Sequence, residues 1–506
     1  MRTKNVGSLN LINRLWVRVL VVLIISFVLV ISLLKNHITE NVKKYASLEE
    51  FTTYLDERIP TLMKDYGIPG VNIALIQKGE TMWSKAYGYA DLEEGRKMTT
   101  DTYCRVESIS KSVTVWGVMK LVEQGKIGLD DPVEKHIRNW EFPETEFSEE
   151  NITVRQLLIH TAGMPLGDIF ERYSPKGKVP SLEESLSEEA ILVQEPGLSF
   201  SYSNTGYNLL ELLIEEVTGR DFAEYMEEEV FIPLGMHKSS FTWNEELKPE
   251  VPVGYDLKGN PIQVYVYPEK ASGGLFACVE DIATFVSAGM SNYFYTDHEV
   301  LTSQNINKLY TPMVKKIGGY GLAFDSYGLG YYIETLSNGK QAVANGGQGG
   351  GVMTHFHAVP ETGDGIAILT NSQRSWPFFA YILNDWAKWN GFSSVGMSKI
   401  IWGQKVLWTL IGIILFIVLW QLWRLVQGLI SDRRKFAPLS KKSRFLHILQ
   451  SSLSIILVSV LLWCISQDYL FISSVFPIAY KWLGLSVFVF ALTLLFSALF
   501  PYTEVK

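Results

Sequence analysis

The 506-residue chain is longer than one ordinary domain, only 19% of it is charged and its mean hydropathy is positive, a balance that implies apolar membrane segments added to a soluble body. Residues 45–392 hold 27 basic and 49 acidic residues, a formal charge of −22, so the basic excess lies in the flanks. Such an acidic body repels phosphate backbones and excludes nucleic acid as a partner.

In chain order, residues 1–14 form a basic tail with Arg2, Lys4 and Arg14. Residues 15–34 carry one charge, Arg18, which can snorkel to the interface. No small-x-small cleavage site follows in "SLLKNHITENVKK", so this stretch reads as an uncleaved transmembrane anchor. Residues 47–66 read as an amphipathic helix ending near Gly67. "VNIALIQ" and "TMWSKAYGYA" flank "KGE" and read as a hairpin over 71–90. A mostly apolar helix follows within "RVESISKSVTVWGVMKLVEQG", ending at Gly125. Residues 150–250 are rich in helical patterns, of which "YNLLELLIEEVTG" is the clearest. From residue 327 strands return as "YGLGYYIETL", "KQAVANGG", "GVMTHFHAV" and "GDGIAILTN", before a last helix, "WPFFAYILNDWAKWNG". Strands at both ends with helices between predict an α+β fold: an antiparallel sheet joining the N- and C-terminal parts, flanked by helices and carrying a helical insertion.

A linker, 393–405, then leads to three further candidate transmembrane helices at 406–427, 446–467 and 482–503, each near the roughly 20 residues that cross a bilayer. Residues 428–445 form a basic loop with Arg433, Arg434, Lys435, Lys441, Lys442 and Arg444. Placing this loop and the N-terminal tail in the cytoplasm gives one topology: both termini inside, residues 45–392 outside, the lipid bilayer as partner. Lys35, Lys43 and Lys44 run against that rule. The interiors of the three C-terminal spans hold no acidic or basic residue, which favours anchoring over transport. Cys464 falls in a span, and Cys104 and Cys278 pair only if the fold brings them together, so no structural disulfide is expected.

Three short motifs could carry chemistry. Ser108 and Lys111 stand one helical turn apart, and i and i+3 side chains share a helix face. A serine hydroxyl needs a base to become a nucleophile, and the apolar run behind Lys111 would bury that lysine and lower its pKa. The spacing alone fits equally an N-cap serine followed by a solvated lysine, and it recurs at Ser32–Lys35 and Ser337–Lys340. Tyr202-Ser203-Asn204 holds the only Tyr-x-Asn of the chain: a phenol beside a lysine can relay protons, and an amide can hold both the lysine and a substrate carbonyl. A loop tyrosine and a helix-capping asparagine are the plainer alternative. In "ANGGQGGGVMTHF" glycines open a strand, which marks either close backbone approach to a ligand or a bulged turn.

Together these motifs resemble the serine β-lactamase and penicillin-binding protein superfamily, in its class C-like branch of D-aminopeptidases, DD-peptidases and esterases. Ser108-x-x-Lys111, Tyr202-x-Asn204 and the glycine-rich strand stand in the family's order, supported by "LLIHTAGMP", "EPGLSFSYSNTGYNLLELLIEEVTG", "PLGM" and "ASGGLFACVEDIATF". The resemblance spans roughly residues 47–390. It implies Ser108 as the acylated nucleophile, Lys111 as base and Tyr202 as proton relay. Asn204 would orient the substrate amide, and the backbone N–H groups of Ser108 and of Gln348, after Gly347, would form the oxyanion hole. It implies no metal and no cofactor. The family's third motif opens with Lys or His, where this chain has Asn345. An amide can hydrogen-bond a substrate but attracts a carboxylate poorly.

His355 and His357 share one strand face but do not complete a zinc-binding string, since residue 359 is Val. His160 reads as a buried structural histidine, and "SLEESLSEEA" as a solvated helix face. Three functions follow: an extracytoplasmic hydrolase of D-amino-acid or cell-wall-type peptides and esters, a prodrug peptidase that removes an N-acyl-D-asparagine cap, or a binding protein that kept the fold and lost turnover.

Overall fold

The computed structural model describes residues 42–168, 172–244, 247, 251–290, 300–437, 444–467 and 470–502. Residues 42–399 fold as one unit, and the described residues from 400 onward form a second. The first expected span, 15–34, lies outside the described residues.

The body opens with α1 (Leu48–Tyr66), started by a reciprocal capping box between Ser47 and Glu50 and ended by Gly67 at φ 65°. Its buried stripe of Phe51, Leu55, Ile59, Leu62 and Tyr66 follows the helical repeat. Next come β1 (Gly70–Gln77) and β2 (Glu80–Asp91), the expected hairpin, and the short β3 (Arg96–Lys97). The second helix, α2 (Ile109–Glu123), is buried on nearly every side. Val113, Thr114, Val115 and Val118 are poor helix formers, each costing roughly half a kcal/mol against Ala. Burying Val113, Val115, Trp116, Val118, Met119 and Leu121 outweighs this at roughly 1.5–3 kcal/mol per large side chain. The insertion continues through α3 (Leu182–Glu189), α4 (Thr205–Thr218) and α5 (Val279–Ala288).

The chain then re-enters the sheet as β4 (Ser326–Tyr327), β5 (Tyr332–Thr335), β6 (Gln341–Gly349), β7 (Val352–Val359) and β8 (Asp364–Thr370), and closes with α6 (Trp376–Trp389). The eight strands lie in the order β3-β2-β1-β8-β7-β6-β5-β4. The N- and C-terminal halves join where β1 pairs antiparallel with β8, Ile73 opposite Ile368. The expected α+β architecture with an antiparallel sheet and a helical insertion is therefore present. One expected strand, "YGLGYYIETL", is broken: Gly328 and Gly330 turn between β4 and β5, and Gly330, at φ 80°, lies against Val115 of α2, where a Cβ would sit 2.5 Å from Val115 Cγ2.

Helices cover both sheet faces. On one, α6 packs its Phe379 and Trp386 against His355 and His357 of β7, and α1 joins it through the stacked rings of Phe51 and Trp389 at 4.2 Å. On the other, Phe356 meets Phe285 of α5. A small second sheet pairs Cys104–Arg105 and Ser239–Ser240 with Phe276–Ala277. Cys104 and Cys278 are free buried thiols, and the Cys278 sulfur caps α5 by accepting from Asp281 N–H.

The second unit holds α7 (Lys399–Ile430), α8 (Arg444–Ser466) and α9 (Ala479–Leu499). Among the described residues three helices are long and apolar enough to cross a membrane, so the count of four is not reached there. The expected linker 393–405 is helical from Lys399, because "KIIWGQK" offers nothing to break a helix before the apolar run. The last two helices are tied by Ser454, whose hydroxyl donates to Ala491 O at 2.8 Å.

Candidate active site

Ser108 stands at the N-terminus of α2, held from both sides. Val106 N–H donates to Leu275 O at 3.0 Å, and Val106 O accepts the Thr354 hydroxyl of β7 at 2.7 Å. Glu107, between them, has φ 52°, a left-handed conformation that costs a non-glycine residue energy. A buried network holds it there: its carboxylate accepts Arg105 Nε at 3.0 Å and the hydroxyls of Tyr265 at 2.9 Å and Tyr267 at 3.1 Å. Arg105 in turn lies over the Tyr265 ring, 4.0 Å from its centroid.

This turn explains the glycines of β6. A Cβ on Gly347 would stand 2.6 Å from Glu107 Cβ and 2.6 Å from Thr354 Oγ1, and a Cβ on Gly349 would run into the Glu107 carboxylate. The bare strand lets backbone reach the nucleophile turn. Gly347→Val is expected to lower stability by about 1–3 kcal/mol and, by shifting the turn, to slow turnover roughly a hundredfold. Gly319→Ala, with open space at its Cβ position, should change neither. Thermal unfolding and initial rates of both variants check this.

The Ser108 hydroxyl does not cap α2, and the Asn204 amide does not cap α4. Ser203 performs that second task, its Oγ accepting Gly206 N–H at 2.8 Å. Asn204 is thereby free to face Lys111. Lys111 is wholly buried, and its Nζ lies 2.7 Å from Asn204 Oδ1, 2.6 Å from Ser272 O and 3.3 Å from Ser108 Oγ. Burial holds its pKa down at about 7, with the Glu107 carboxylate pulling partly back. A neutral amine has two N–H donors and one lone pair. The two carbonyl-type oxygens accept the donors, which leaves the lone pair for the Ser108 hydroxyl.

Tyr202 completes the cluster, with Lys111 Nζ 5.1 Å from its ring centroid. Burial, with Tyr320 and Tyr327 nearby, keeps this phenol well above its ordinary pKa and so protonated, with the Ser108 hydroxyl pulling partly the other way. His160 brackets it: its carbonyl accepts Ser201 N–H at 2.8 Å, and its Nδ1 accepts Ser203 N–H at 3.1 Å. Its own pKa is pushed well below the usual range by burial and then by Lys111, so it stays neutral. This is the structural role expected of it.

Several contributors were not foreseen. Three hydroxyls of α2 tie the cleft walls to the helix: Ser110 accepts Leu275 N–H, Ser112 donates to Gly330 O and Thr114 donates to Ala271 O. The buried Glu211 carboxylate, pushed up to about 8 by burial, accepts the N–H groups of Lys270 and Ala271 and so fixes the segment that presents Ser272 O. The acidic residue beside the nucleophile, Glu107, carried one faint signal, Arg105 two positions earlier.

Asn345 departs from its expected substrate contact. It is 1% exposed and turned into the fold, its Nδ2 donating to Ser112 Oγ at 2.7 Å and Gly330 O at 3.2 Å, with Ser108 O at 3.3 Å. Strand parity puts Asn345, Gly347 and Gly349 on one face, and α2 fills the Asn345 end of it. Gln348 lines the cleft together with Ser108, Asn204, Ser272 and Tyr267, its amide oxygen accepting the Trp376 indole N–H at 3.2 Å. His357 faces Glu334 at 3.0 Å, and among the described residues no group of three metal-ligating side chains occurs.

Against known proteins, the family profile described as Beta-lactamase matches residues 55–383. Protein flp of Staphylococcus aureus (strain MRSA252) is 32% identical over 197 residues, 38% of this chain and 39% of flp. Penicillin-binding protein 4* of Bacillus subtilis (strain 168) is 30% identical over 202 residues, 39% of this chain and 43% of that protein. The chain thus spans about two fifths of the length of these relatives. The octameric penicillin-binding protein homologue from Pyrococcus abyssi superimposes with a TM-score of 0.55 at 30% identity, covering 63% of this chain and 73% of that one.

Proposed function

The chain belongs to the beta-lactamase family, a family of serine hydrolases, and on that premise we propose that it is a membrane-anchored, extracytoplasmic hydrolase. It cleaves amide or ester bonds of D-amino-acid or cell-wall-type peptides through an acyl-enzyme. The observation that carries the reading is the wholly buried Lys111, whose Nζ reaches Asn204 Oδ1, Ser272 O and Ser108 Oγ together.

In this mechanism Lys111 takes the Ser108 proton as Oγ attacks the scissile carbonyl. The oxyanion lies between the backbone N–H groups of Ser108 and Gln348. Collapse breaks the bond to the leaving group, which receives its proton from Lys111 through the Tyr202 hydroxyl. Water then attacks the Ser108 ester by the same proton path in reverse, releasing the acid. Tyr202→Phe is expected to slow amide hydrolysis by about 10²–10⁴-fold and an activated aryl ester much less, since a phenolate leaves without protonation. Matched amide and ester rates for the variant check this.

With Asn345 turned inward, that side chain offers nothing to a free substrate carboxylate. The peptide reading therefore favours substrates recognised by other groups. The prodrug-peptidase reading uses the same chemistry on an N-acyl-D-asparagine amide. A panel of D- and L-amides and esters, N-acyl-D-asparagine amides included, tests the proposal on membranes carrying the full chain. Product from D-configured amides is the expected result. A serine label without product from any compound would favour the non-catalytic binding protein instead.

A further inference from the structure

Lys-Lys occurs three times in this chain, at 43–44, 315–316 and 441–442. The first and third flank expected membrane spans. The second belongs to the acidic body and is far in sequence from any span. The first two pairs each precede a tyrosine with no acidic residue between, in "KKYA" and "KKIGGYGLA". Acyl transfer uses neither segment, and Lys43 and Lys44 run against the charge rule that orients the spans.

The fold brings both segments to the place where the chain enters and leaves the body. Tyr45 N–H donates to Trp389 O at 2.8 Å, the Trp389 indole N–H donates to Ala46 O at 2.8 Å, and a Cβ on Gly391 would run into the Tyr45 ring. The loop 315–323 reaches the same exit segment: a Cβ on Gly396, three residues before α7, would run into Ala323 O. From Gly396 the apolar run begins ten residues on, at Val406, about 15 Å along a helix.

Exposure singles out the same two segments. Among the described residues of the body, Tyr45 at 76% and Leu322 at 71% are the most exposed large apolar side chains. Lys43, Lys44, Lys315 and Lys316 are exposed too. Some opposing charge is present: Glu50 meets Lys43 at 3.6 Å, Glu49 is exposed beside it, and Asp325, behind the loop, accepts Thr335 N–H at 2.7 Å. Aromatic and basic side chains around chain ends that lead to apolar spans match a lipid–water boundary, where tyrosine rings settle at headgroup level and lysines meet anionic headgroups. The loop also touches the catalytic cluster, since the Tyr320 and Tyr202 ring centroids lie 5.6 Å apart.

We infer that segments 43–45 and 315–322 dock on the membrane surface, with Tyr45 and Leu322 in the headgroup layer and the four lysines on anionic headgroups. This docking holds the Tyr202 end of the catalytic site at the lipid boundary. The inference rests on the membrane-anchored reading and adds a lipid surface as a partner of the catalytic body.

The test places a nitrobenzoxadiazole fluorophore on Leu322→Cys or, as the reference, on Ile232→Cys of the helical insertion, itself 55% exposed. The full chain also carries Cys464→Ser, and the other two cysteines are buried. Each labelled chain is reconstituted in phosphatidylcholine vesicles with and without phosphatidylglycerol, and quenching by a headgroup-layer nitroxide lipid is measured. With phosphatidylglycerol, the label at 322 should be quenched and that at 232 spared. Omitting phosphatidylglycerol should weaken the quenching at 322. Lys315→Gln and Lys316→Gln should each lower the ratio of docked to undocked chains by about fivefold. Equal quenching at 322 and 232, or quenching at 322 that ignores both the lysines and the phosphatidylglycerol, overturns the inference in a chain that floats with its vesicles. A chain that does not float with them removes the anchored reading beneath it.

Discussion

Ser108→Ala is expected to lower hydrolysis by a factor on the order of 10⁴–10⁶ and to leave the fold intact. The loss is large because the nucleophile and its base act as one unit: without Oγ, the Lys111 lone pair has no proton to take. The fold survives because the hydroxyl makes no capping bond to α2. A serine that capped the helix would cost about 0.5–2 kcal/mol on substitution, whereas this one should shift stability by no more than about 0.5 kcal/mol. Rates and the thermal midpoint of the same preparation separate the two. A destabilised but active variant would return Ser108 to the role of a helix cap.

Lys111→Met is expected to cost about 10³-fold or more in turnover, and it should also change how stability depends on pH. Burial lowers the Lys111 pKa from 10.5 to about 7. Below pH 7 the lysine is charged in both folded and unfolded chains, and the folded state bears the full penalty of a buried charge. Between about pH 7 and 10 the unfolded chain binds a proton that the folded site has released, so folding stability rises with pH. The rise amounts to a few kcal/mol. It should be present in the wild type and missing from Lys111→Met, as the difference between their denaturation midpoints at pH 7 and pH 9. Parallel pH profiles would mean that Lys111 stays charged and cannot be the base.

Much of this arrangement was legible in the sequence, for physical reasons. The strands of the sheet alternate or run apolar, and β1, β2, β7 and β8 lie where those patterns fall. The α2 helix could be bounded because Gly125 follows its apolar run. The two catalytic-type motifs could be found but not decided, since a capping serine and a nucleophile share the same spacing. Only the three-dimensional partners separate them: Ser203 caps α4 in place of Asn204, and the Ser108 hydroxyl caps nothing.

What stayed hidden depended on contacts distant in sequence. Glu107 reads locally as one more solvated carboxylate, but Tyr265 and Tyr267, some 160 residues away, bury it. Motif position alone assigns Asn345 to the substrate. Its strand face could be worked out from the period of two, but not that Ser112 and Gly330 would occupy its amide. The break at Gly328 and Gly330 follows from the close approach of Val115, which no local pattern records.

The central claim is that Ser108 is acylated with a neutral Lys111 as its base. Its most direct test is mass spectrometry of the full chain after timed fluorophosphonate labelling from pH 5 to pH 9. Cleavage after Arg105 and Lys111 isolates the six residues 106–111, which contain Ser108 and Ser110. The account predicts an adduct on Ser108, with a labelling rate that climbs through about pH 7. An adduct on another residue, or a rate on Ser108 that is flat across this range, would contradict it.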